Sequence, residues 1–354
     1  MFAVSIIVWN ISNGNGKERA VTNLANSLCE SGDYKVHIIS CCSDNTSMPY
    51  FKLNDAISVH HLAVSLRNKI KYFTLQKEIQ KVCETTKTDF LLGTTHALNC
   101  IMVGIKMSGL KKIACEHMNY GAAPWYSKIF RYIAYPKLDA VVLLTAADKK
   151  HYSFCKNTYV IPNSVTQQNE SSTCENKVLL AVGRYTRQKG FDMLIKAFAL
   201  IHTQIPDWKL RIIGQGEDES LLRKLIDDSN LVESVLLISP TKEIAKEYIN
   251  AGIFLLPSRW EGFVLVLTEA KSFGLPSVAF NCPEGPADIV VHNKDGFLVE
   301  PENINKLAGR ILQLANDIDL RKQFGKNAVN DIKRLSPVNI FKMWDELFYN
   351  LKKE

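Results

Sequence analysis

The sequence has no C-x-x-C pair, no stretch near the ~18 consecutive apolar residues of a membrane span, and no long tract of biased composition. Its nine cysteines are an odd number at irregular spacing, with one adjacent pair, Cys41 and Cys42. That argues against a disulfide framework or a zinc site and for reduced thiols in a cytoplasmic protein. The opening MFAVSIIVWNI is apolar but has neither a basic flank nor a small-residue cleavage site, so it is expected to be a first β-strand. A G-x-G-x-x-G fingerprint and any recognisable nucleic-acid-binding motif are also missing. The 18 glycines and 12 prolines fall like punctuation between patterned segments, so disorder is expected nowhere except around 166–176.

What is present is enough chain for two cores. At 354 residues with 46% hydrophobic and 22% charged residues, the expectation is two soluble domains with a cleft between them. The net charge of +7 is uneven: residues 1–165 hold 19 Lys and Arg against 11 Asp and Glu. Two segments in that half, WYSKIFRYIAYPK (125–137) and RNKIKYFTLQK (67–77), mix bases with aromatics as surfaces resting on anionic lipid do.

Short apolar runs alternate with stretches of helical period: AVSIIVW, a helix from about Arg19 to Ser31, KVHIIS, DFLLGT, KIACEH and AVVLLT. Strands apolar on both faces and separated by helices predict a parallel sheet covered on both sides, hence an α/β, Rossmann-like domain over 1–165. The polar TQQNESSTCENK reads as a linker over 166–176. The rhythm restarts with KVLLAVG, KLRIIG, SVLLIS, GIFLLPS and PSVAF, predicting a second Rossmann-like domain over 177–334. In the tail, over 335–354, Ile340, Phe341, Trp344, Leu347, Phe348 and Leu351 recur at three- and four-residue spacing and predict a terminal helix with one face to bury, against either domain.

Ligands of open parallel sheets bind beyond the carboxyl ends of the strands, so the loops there carry the candidates. NISNGNGKER (10–19) places Gly14 and Gly16 before a helix start, where an anion meets free N–H groups. GRYTRQKGFD (183–192) sets Arg184 and Lys189 around another helix start, a planar fork and a point charge suited to a diphosphate. GQGED (214–218) admits close contact at Gly214. After GIFLLPS, SRWEGFVLVLTEA brings Glu261 into a loop and Glu269 onto the following helix, where both carboxylates are expected to face the cleft and escape burial. A carboxylate accepts from vicinal hydroxyls, so one suits a ribose and the other a sugar ring. His96 and His117 each follow a strand of the first half.

Taken together, these segments resemble the retaining glycosyltransferases of family 4, over nearly the whole chain. NGKERAVTNLANSL resembles the family's Gly-Gly-x-Glu-Arg loop, with Asn15 in place of the first glycine; LLAVGRYTRQKGFDMLIKAF its Arg and Lys motif; YVIPNSV and LRIIGQGED its hinge and next loop; EGFVLVLTE its Glu-x7-Glu spacing. NCPEGPADIV (281–290) is similar to a Cys-Pro-x-Gly-Pro loop of bacterial surface-polysaccharide members that transfer galactose-type or N-acetylhexosamine units, with Asn281 where many have Asp.

The resemblance implies a GT-B fold of two facing Rossmann-like domains and assigns roles residue by residue. Arg184 and Lys189 hold the nucleotide diphosphate, Glu269 the ribose and Glu261 the donor sugar. The backbone N–H groups of Phe263 and Val264, beside Gly262, contact sugar or phosphate. Gly16 lets the first loop approach the diphosphate, Gly214 belongs to the donor site, Ser239 and Pro240 lie near the base, and His117 near the donor sugar. It implies front-face transfer with retention from a UDP-sugar, without metal or other cofactor, to a polyprenyl-diphosphate-linked glycan. The expected location is the cytoplasm, peripheral on the anionic inner face of the membrane, with no nucleic-acid partner. The alternatives are a GT-B sugar-nucleotide epimerase and an inactive nucleotide-sugar-binding subunit.

Overall fold

The computed structural model of the chain describes residues 1–64 and 71–353. It divides into two compact units, one of residues 1–164 with 337–354 and the other of residues 165–336. In the first, β1 (Phe2–Val8) leads into α1 (Gly16–Glu30), then β2 (Tyr34–Ser40), β3 (Ser58–His61), α2 (Lys71–Thr86), β4 (Phe90–Gly93), α3 (His96–Met102), β5 (Lys111–Glu116), α4 (Trp125–Ala134), β6 (Ala140–Leu143) and β7 (Thr158–Val160). All strands are parallel, in the order β3-β2-β1-β4-β5-β6-β7. Strands such as FLLG and AVVL are buried on both faces because helices cover both sides.

The second unit repeats the scheme: β8 (Val178–Val182), α5 (Phe191–Ile201), β9 (Lys209–Ile213), α6 (Glu219–Asp228), β10 (Val235–Ile238), α7 (Ile244–Ile249), β11 (Ile253–Leu256), α8 (Leu265–Ser272), β12 (Ser277–Phe280), α9 (Pro286–Ile289), β13 (Gly296–Val299), α10 (Ile304–Asn316) and α11 (Ile318–Ile332). Its parallel order is β10-β9-β8-β11-β12-β13. In each sheet the chain leaves the first strand to one side and later returns to its other side. The topological switch points therefore lie between β1 and β4 and between β8 and β11, where ligands of such sheets bind.

The last helix, α12 (Pro337–Lys353), belongs to the first unit. Its apolar face is buried: Phe348 packs on Phe90 with ring centroids 4.4 Å apart and on Tyr34 at 5.4 Å, and Lys352 reaches Asp89 at 2.6 Å.

Two expectations need correction. The helix foreseen from about Arg19 starts one turn earlier, at Gly16, because Asn15 with its extended backbone already accepts the Arg19 amide at 3.1 Å. The segment 166–176 is polar because its side chains face water, yet its backbone is anchored. The Ser172 amide donates to the Phe273 carbonyl at 2.8 Å, its hydroxyl to the Ala251 carbonyl at 2.5 Å, and Cys174 is buried.

Candidate functional site

At the switch point of the second sheet two loops meet, residues 183–190 after β8 and 257–264 after β11. Lys189 Nζ lies 2.7 Å from Glu261 Oε1, and the same oxygen accepts the Ser258 hydroxyl at 2.6 Å. Glu261 is only 5% exposed. The expected escape from burial is therefore corrected: the carboxylate is buried, but it is not an unpaired charge, since the ion pair and the Ser258 hydroxyl offset the cost.

Around this pair the loops are strapped together. The Arg259 amide donates to the Gln188 carbonyl at 2.8 Å, and the Gln188 side-chain amide to the Trp260 carbonyl at 3.0 Å. The Arg259 guanidinium donates to both Asp192 carboxylate oxygens, at 2.9 and 2.7 Å, and to the Arg187 carbonyl at 2.8 Å. Burial pushes the Asp192 carboxyl up, but the Arg259 fork outweighs it and holds the group below its ordinary value. Sequence reasoning missed this strap and Ser258, since neither Arg259 nor Asp192 stands at a position that its spacing marks.

Arg184 differs from Lys189. It is exposed and has no carboxylate within ion-pair distance among the described residues. One cation of the motif is thus locked to a carboxylate, and the other faces solvent.

The neighbouring loops close on the same edge. A Cβ on Gly214 would stand 1.8 Å from the Gly183 carbonyl oxygen, so only glycine fits beside the Arg and Lys loop. The buried Tyr185 hydroxyl lies 2.8 Å from the Ile212 carbonyl and 3.1 Å from that of Ile238, tying the ends of β8, β9 and β10. Ser239 and Pro240 follow β10 in exposed positions. Gly285, at φ +107°, packs so tightly on the Gly262 carbonyl that a Cβ would come within 1.8 Å. The loop 281–285 therefore rests on the loop of Glu261. Its Cys282 is buried, and burial with the nearby Glu261 charge pushes the thiol up to about 12.

Val264 is buried, Gly262 and Phe263 are partly exposed, and their amides precede the first turn of α8. Glu269 sits one turn further along, partly exposed, and accepts the Tyr248 hydroxyl at 3.1 Å. This edge thus gathers Arg184, Lys189, Gly214, Ser239, Pro240, Glu261, Gly262, Phe263, Val264 and Glu269 onto loops and helix starts of one unit.

Gly16 and His117 belong to the other unit. Gly16 is the first residue of α1. His117 follows β5 and lines an apolar crevice with Val21 and Leu24 of α1, Ile161, and Trp344 of α12. Its surroundings, with Lys17 adding to them, push the imidazole down to about 4, so it is neutral at pH 7. His96 opens α3 and is also lowered, mainly by burial. Glu116, one residue before His117, points to the opposite face of the strand. There it binds Arg131 at 2.9 Å and accepts the Tyr135 hydroxyl.

Residues 165–331 match the family of glycosyl transferases group 1. A glycosyltransferase of Haemophilus influenzae, itself uncharacterized, is 31% identical over 334 residues, covering 91% of this chain and 93% of the relative. The amylovoran biosynthesis glycosyltransferase AmsD of Erwinia amylovora is 30% identical over 366 residues, covering 98% and 99%. Among solved structures, that of S. aureus TarM bound to UDP and α-GlcNAc-glycerol superposes with a TM-score of 0.84 at 18% identity, covering 98% of this chain and 100% of that one. The fold is GT-B, two Rossmann-like units in one chain. Full-length relatives at this identity, with the second unit carrying the family's match, settle the class: the chain belongs to the group 1 glycosyl transferases.

Proposed function

We propose that this glycosyltransferase moves a hexose or N-acetylhexosamine, galactose-type favoured, from a UDP-sugar onto a lipid-linked oligosaccharide during assembly of a bacterial surface polysaccharide. The observation that carries the reading is the division of labour between the two cations: Lys189 is fixed on Glu261 while Arg184 stands exposed beside it at the switch point. Such a site receives a diphosphate with its groups already placed, so stabilising the leaving group costs little reorganisation. In this reading Arg184 and Lys189 take up the charge of the departing diphosphate without a metal ion. Glu269 accepts from the ribose hydroxyls, Glu261 from the donor sugar, and the start of α8 offers N–H groups to phosphate or sugar.

Support for the acceptor class comes from a relative in Campylobacter jejuni, 26% identical over 99% of both chains, which is named as an α-1,4-N-acetyl-D-galactosaminyltransferase acting on an undecaprenyl-diphosphate-linked glycan. Its α-linked product, like that in the name of the S. aureus poly(ribitol-phosphate) α-N-acetylglucosaminyltransferase, fits retention from an α-linked donor. The acceptor hydroxyl then attacks on the face the diphosphate leaves and gives its proton to the departing phosphate.

A lipid surface fits α4. Its inward residues are polar, Arg131 held by Glu116 and donating in turn to the Ser127 hydroxyl, whereas Trp125, Tyr126, Ile129, Phe130, Tyr132 and Ile133 face outwards. Trp125 is 74% exposed, and Lys128, Lys149, Lys150 and Lys156 add nearby positive charge. Aromatics outside and lysines beside them are what an anionic membrane interface receives. Of the companion segment 67–77, residues 67–70 lie outside the described residues; Tyr72 and Phe73 are exposed. No helix among the described residues is long and apolar enough to cross a membrane.

The test is a thermal-shift screen against UDP, GDP, ADP and their sugar conjugates, with and without EDTA, followed by the anomeric configuration of the product by NMR. Stabilisation by UDP and one UDP-sugar, unaffected by EDTA, and an α product are expected. Absence of any shift with the uridine ligands, or a β product, would refute the assignment.

A further inference from the structure

Arg259 stands two residues before Glu261 in the loop after β11, where its charge would make it a third cation for a diphosphate. Its guanidinium is engaged elsewhere. Nη1 donates to the Arg187 carbonyl at 2.8 Å and to Asp192 Oδ1 at 2.9 Å, Nη2 donates to Asp192 Oδ2 at 2.7 Å, and Nε lies 3.8 Å from a Glu302 carboxylate oxygen. What these bonds hold is the loop of Lys189. Arg187 comes two residues before the lysine, and Asp192, in the first turn of α5, three residues after it. Arg259 thus grips that loop on both sides of Lys189, while its own loop runs on to Glu261.

The two backbones also lie in contact. The Arg259 amide donates to the Gln188 carbonyl at 2.8 Å, and a Cβ on Gly190, which turns into α5 at φ +68°, would stand 2.1 Å from the Pro257 carbonyl oxygen. Between these clamps Lys189 Nζ meets Glu261 Oε1 at 2.7 Å. A lysine carries a point charge on a flexible stem, so its ammonium is placed only as well as the backbones that carry it and its partner. A bidentate arginine is a planar fork that fixes its carboxylate in both distance and direction. We propose that Arg259 is a positioning residue of the donor site: through Asp192 and the Arg187 carbonyl it sets the Lys189 loop against the Glu261 loop, and so fixes where the lysine charge stands when the diphosphate leaves. Its part in transfer rests on the transferase reading; its hold on Lys189 stands without it.

The test uses the whole purified chain with its R259A, R259K and D192N variants, each kept well below its unfolding midpoint. Acylation of Lys189 by N-hydroxysuccinimidyl acetate, read by peptide mass spectrometry against the exposed Lys224, reports the hold on the lysine without any substrate. It should be about fivefold faster in R259A and D192N than in the wild type, because a released amine loses the shielding of Glu261 and the enclosing loops. Release of UDP from UDP-galactose, UDP-glucose and their N-acetyl counterparts, with water as acceptor, gives the kinetic readout. In R259A kcat should fall about 10–100-fold through misplacement of the charge, while the donor KM changes less than about threefold because Arg184 and Glu269 still hold the nucleotide. Millimolar guanidinium chloride should restore part of the R259A rate by filling the vacated place beside Asp192, and none of the Lys189→Ala rate. R259K keeps the charge without the fork, so it should move both readouts the same way by a smaller factor, and it decides the matter if R259A does not fold. Unchanged acylation of Lys189 overturns the positioning role. So does a raised KM at constant kcat, which would make Arg259 a donor ligand, or a lowered midpoint with wild-type kinetics, which would make the pair structural only. A wild type that turns over none of the UDP-sugars strikes the donor reading instead, and Lys189 acylation still decides whether Arg259 holds it.

Discussion

The two units share one architecture and treat buried charge in different ways. In the second, the less exposed ionised groups near the switch point are matched, Lys189 with Glu261 and Arg259 with Asp192, as is Arg211 with Glu247 further along the sheet, while Arg184 faces solvent. In the first, Glu116 and Arg131 are matched beneath α4, but Glu18 is left without a partner, and His37 and His117 are kept neutral by their surroundings. On the reading proposed above, a nucleotide diphosphate is the same in every turnover and rewards charges placed in advance at the second switch point.

The largest effect expected from breaking this comparison is at the two cations. Arg184→Ala should lower transfer about 10²–10³-fold through lost charge on the leaving group, with an unchanged unfolding midpoint because the side chain is exposed and unpaired. Lys189→Ala should lower transfer as much and also destabilise the chain by about 3 kcal/mol, because it strands the buried Glu261. The double variant Lys189→Met with Glu261→Gln should recover most of the midpoint and none of the transfer. Initial rates and calorimetric midpoints of the four proteins check this; equal stability of the Arg184 and Lys189 variants would mean that the ion pair contributes nothing.

This difference between the cations is also where the sequence stops being legible. The alternation of apolar runs and helical periods located both sheets, and Arg184, Lys189, Glu261 and Glu269 were marked by strand ends and spacing, because such patterns are local. That Lys189 reaches Glu261 across 72 positions, or that Arg259 clasps Asp192, depends on which strands become neighbours, and no local pattern encodes that. β3 and β13 escaped notice because both lie at sheet edges: SVHH is half-buried with two histidines among its four residues, and GFLV follows directly on the polar turn HNKD. The inverted character of α4 was half visible. Its mixture of bases and aromatics is plain in the sequence, but only Glu116 beneath it explains why Arg131 turns inwards and the rings outwards.

Acid should separate the units next. His37, buried and 3.1 Å from His60, is pushed down to about 4, chiefly by burial, and His117 is lowered to about 4 as well. Between pH 6.5 and 4 the unfolded chain therefore binds more protons than the folded one at both positions, so stability falls as pH drops through that window. The loss approaches ~1.4 kcal/mol per pH unit for each histidine. In the second unit the carboxylates held below their ordinary values, among them Asp192 and Asp331, lose their contribution only as pH falls further, below the usual carboxylate range. Urea titrations between pH 7.5 and 4.5, read by amide exchange in peptides of each unit, should show the first unit weakening well before the second. Replacing His37 by Gln should flatten the slope; parallel weakening of both units would remove the distinction.

The smallest effect, and the one that most directly sharpens the contrast, concerns the outer face of α4. If that face meets lipid, binding has two parts, insertion of rings and attraction of lysines, and they respond differently to salt. Phe130→Ser should weaken binding to phosphatidylglycerol-containing vesicles about tenfold at any ionic strength, since an inserted phenylalanine contributes roughly 1–2 kcal/mol. Lys149→Gln with Lys150→Gln should weaken it by a similar amount in 0.05 M salt and hardly at all in 0.5 M, because the Debye length there falls below about 5 Å. Vesicle sedimentation of the wild type and both variants at the two salt concentrations separates the terms. Binding that ignores Phe130 yet vanishes with salt would make the face a solvated basic surface. The exposed rings would then have to be read as a contact for another protein chain, and the membrane would no longer account for why this helix turns its aromatic side outwards.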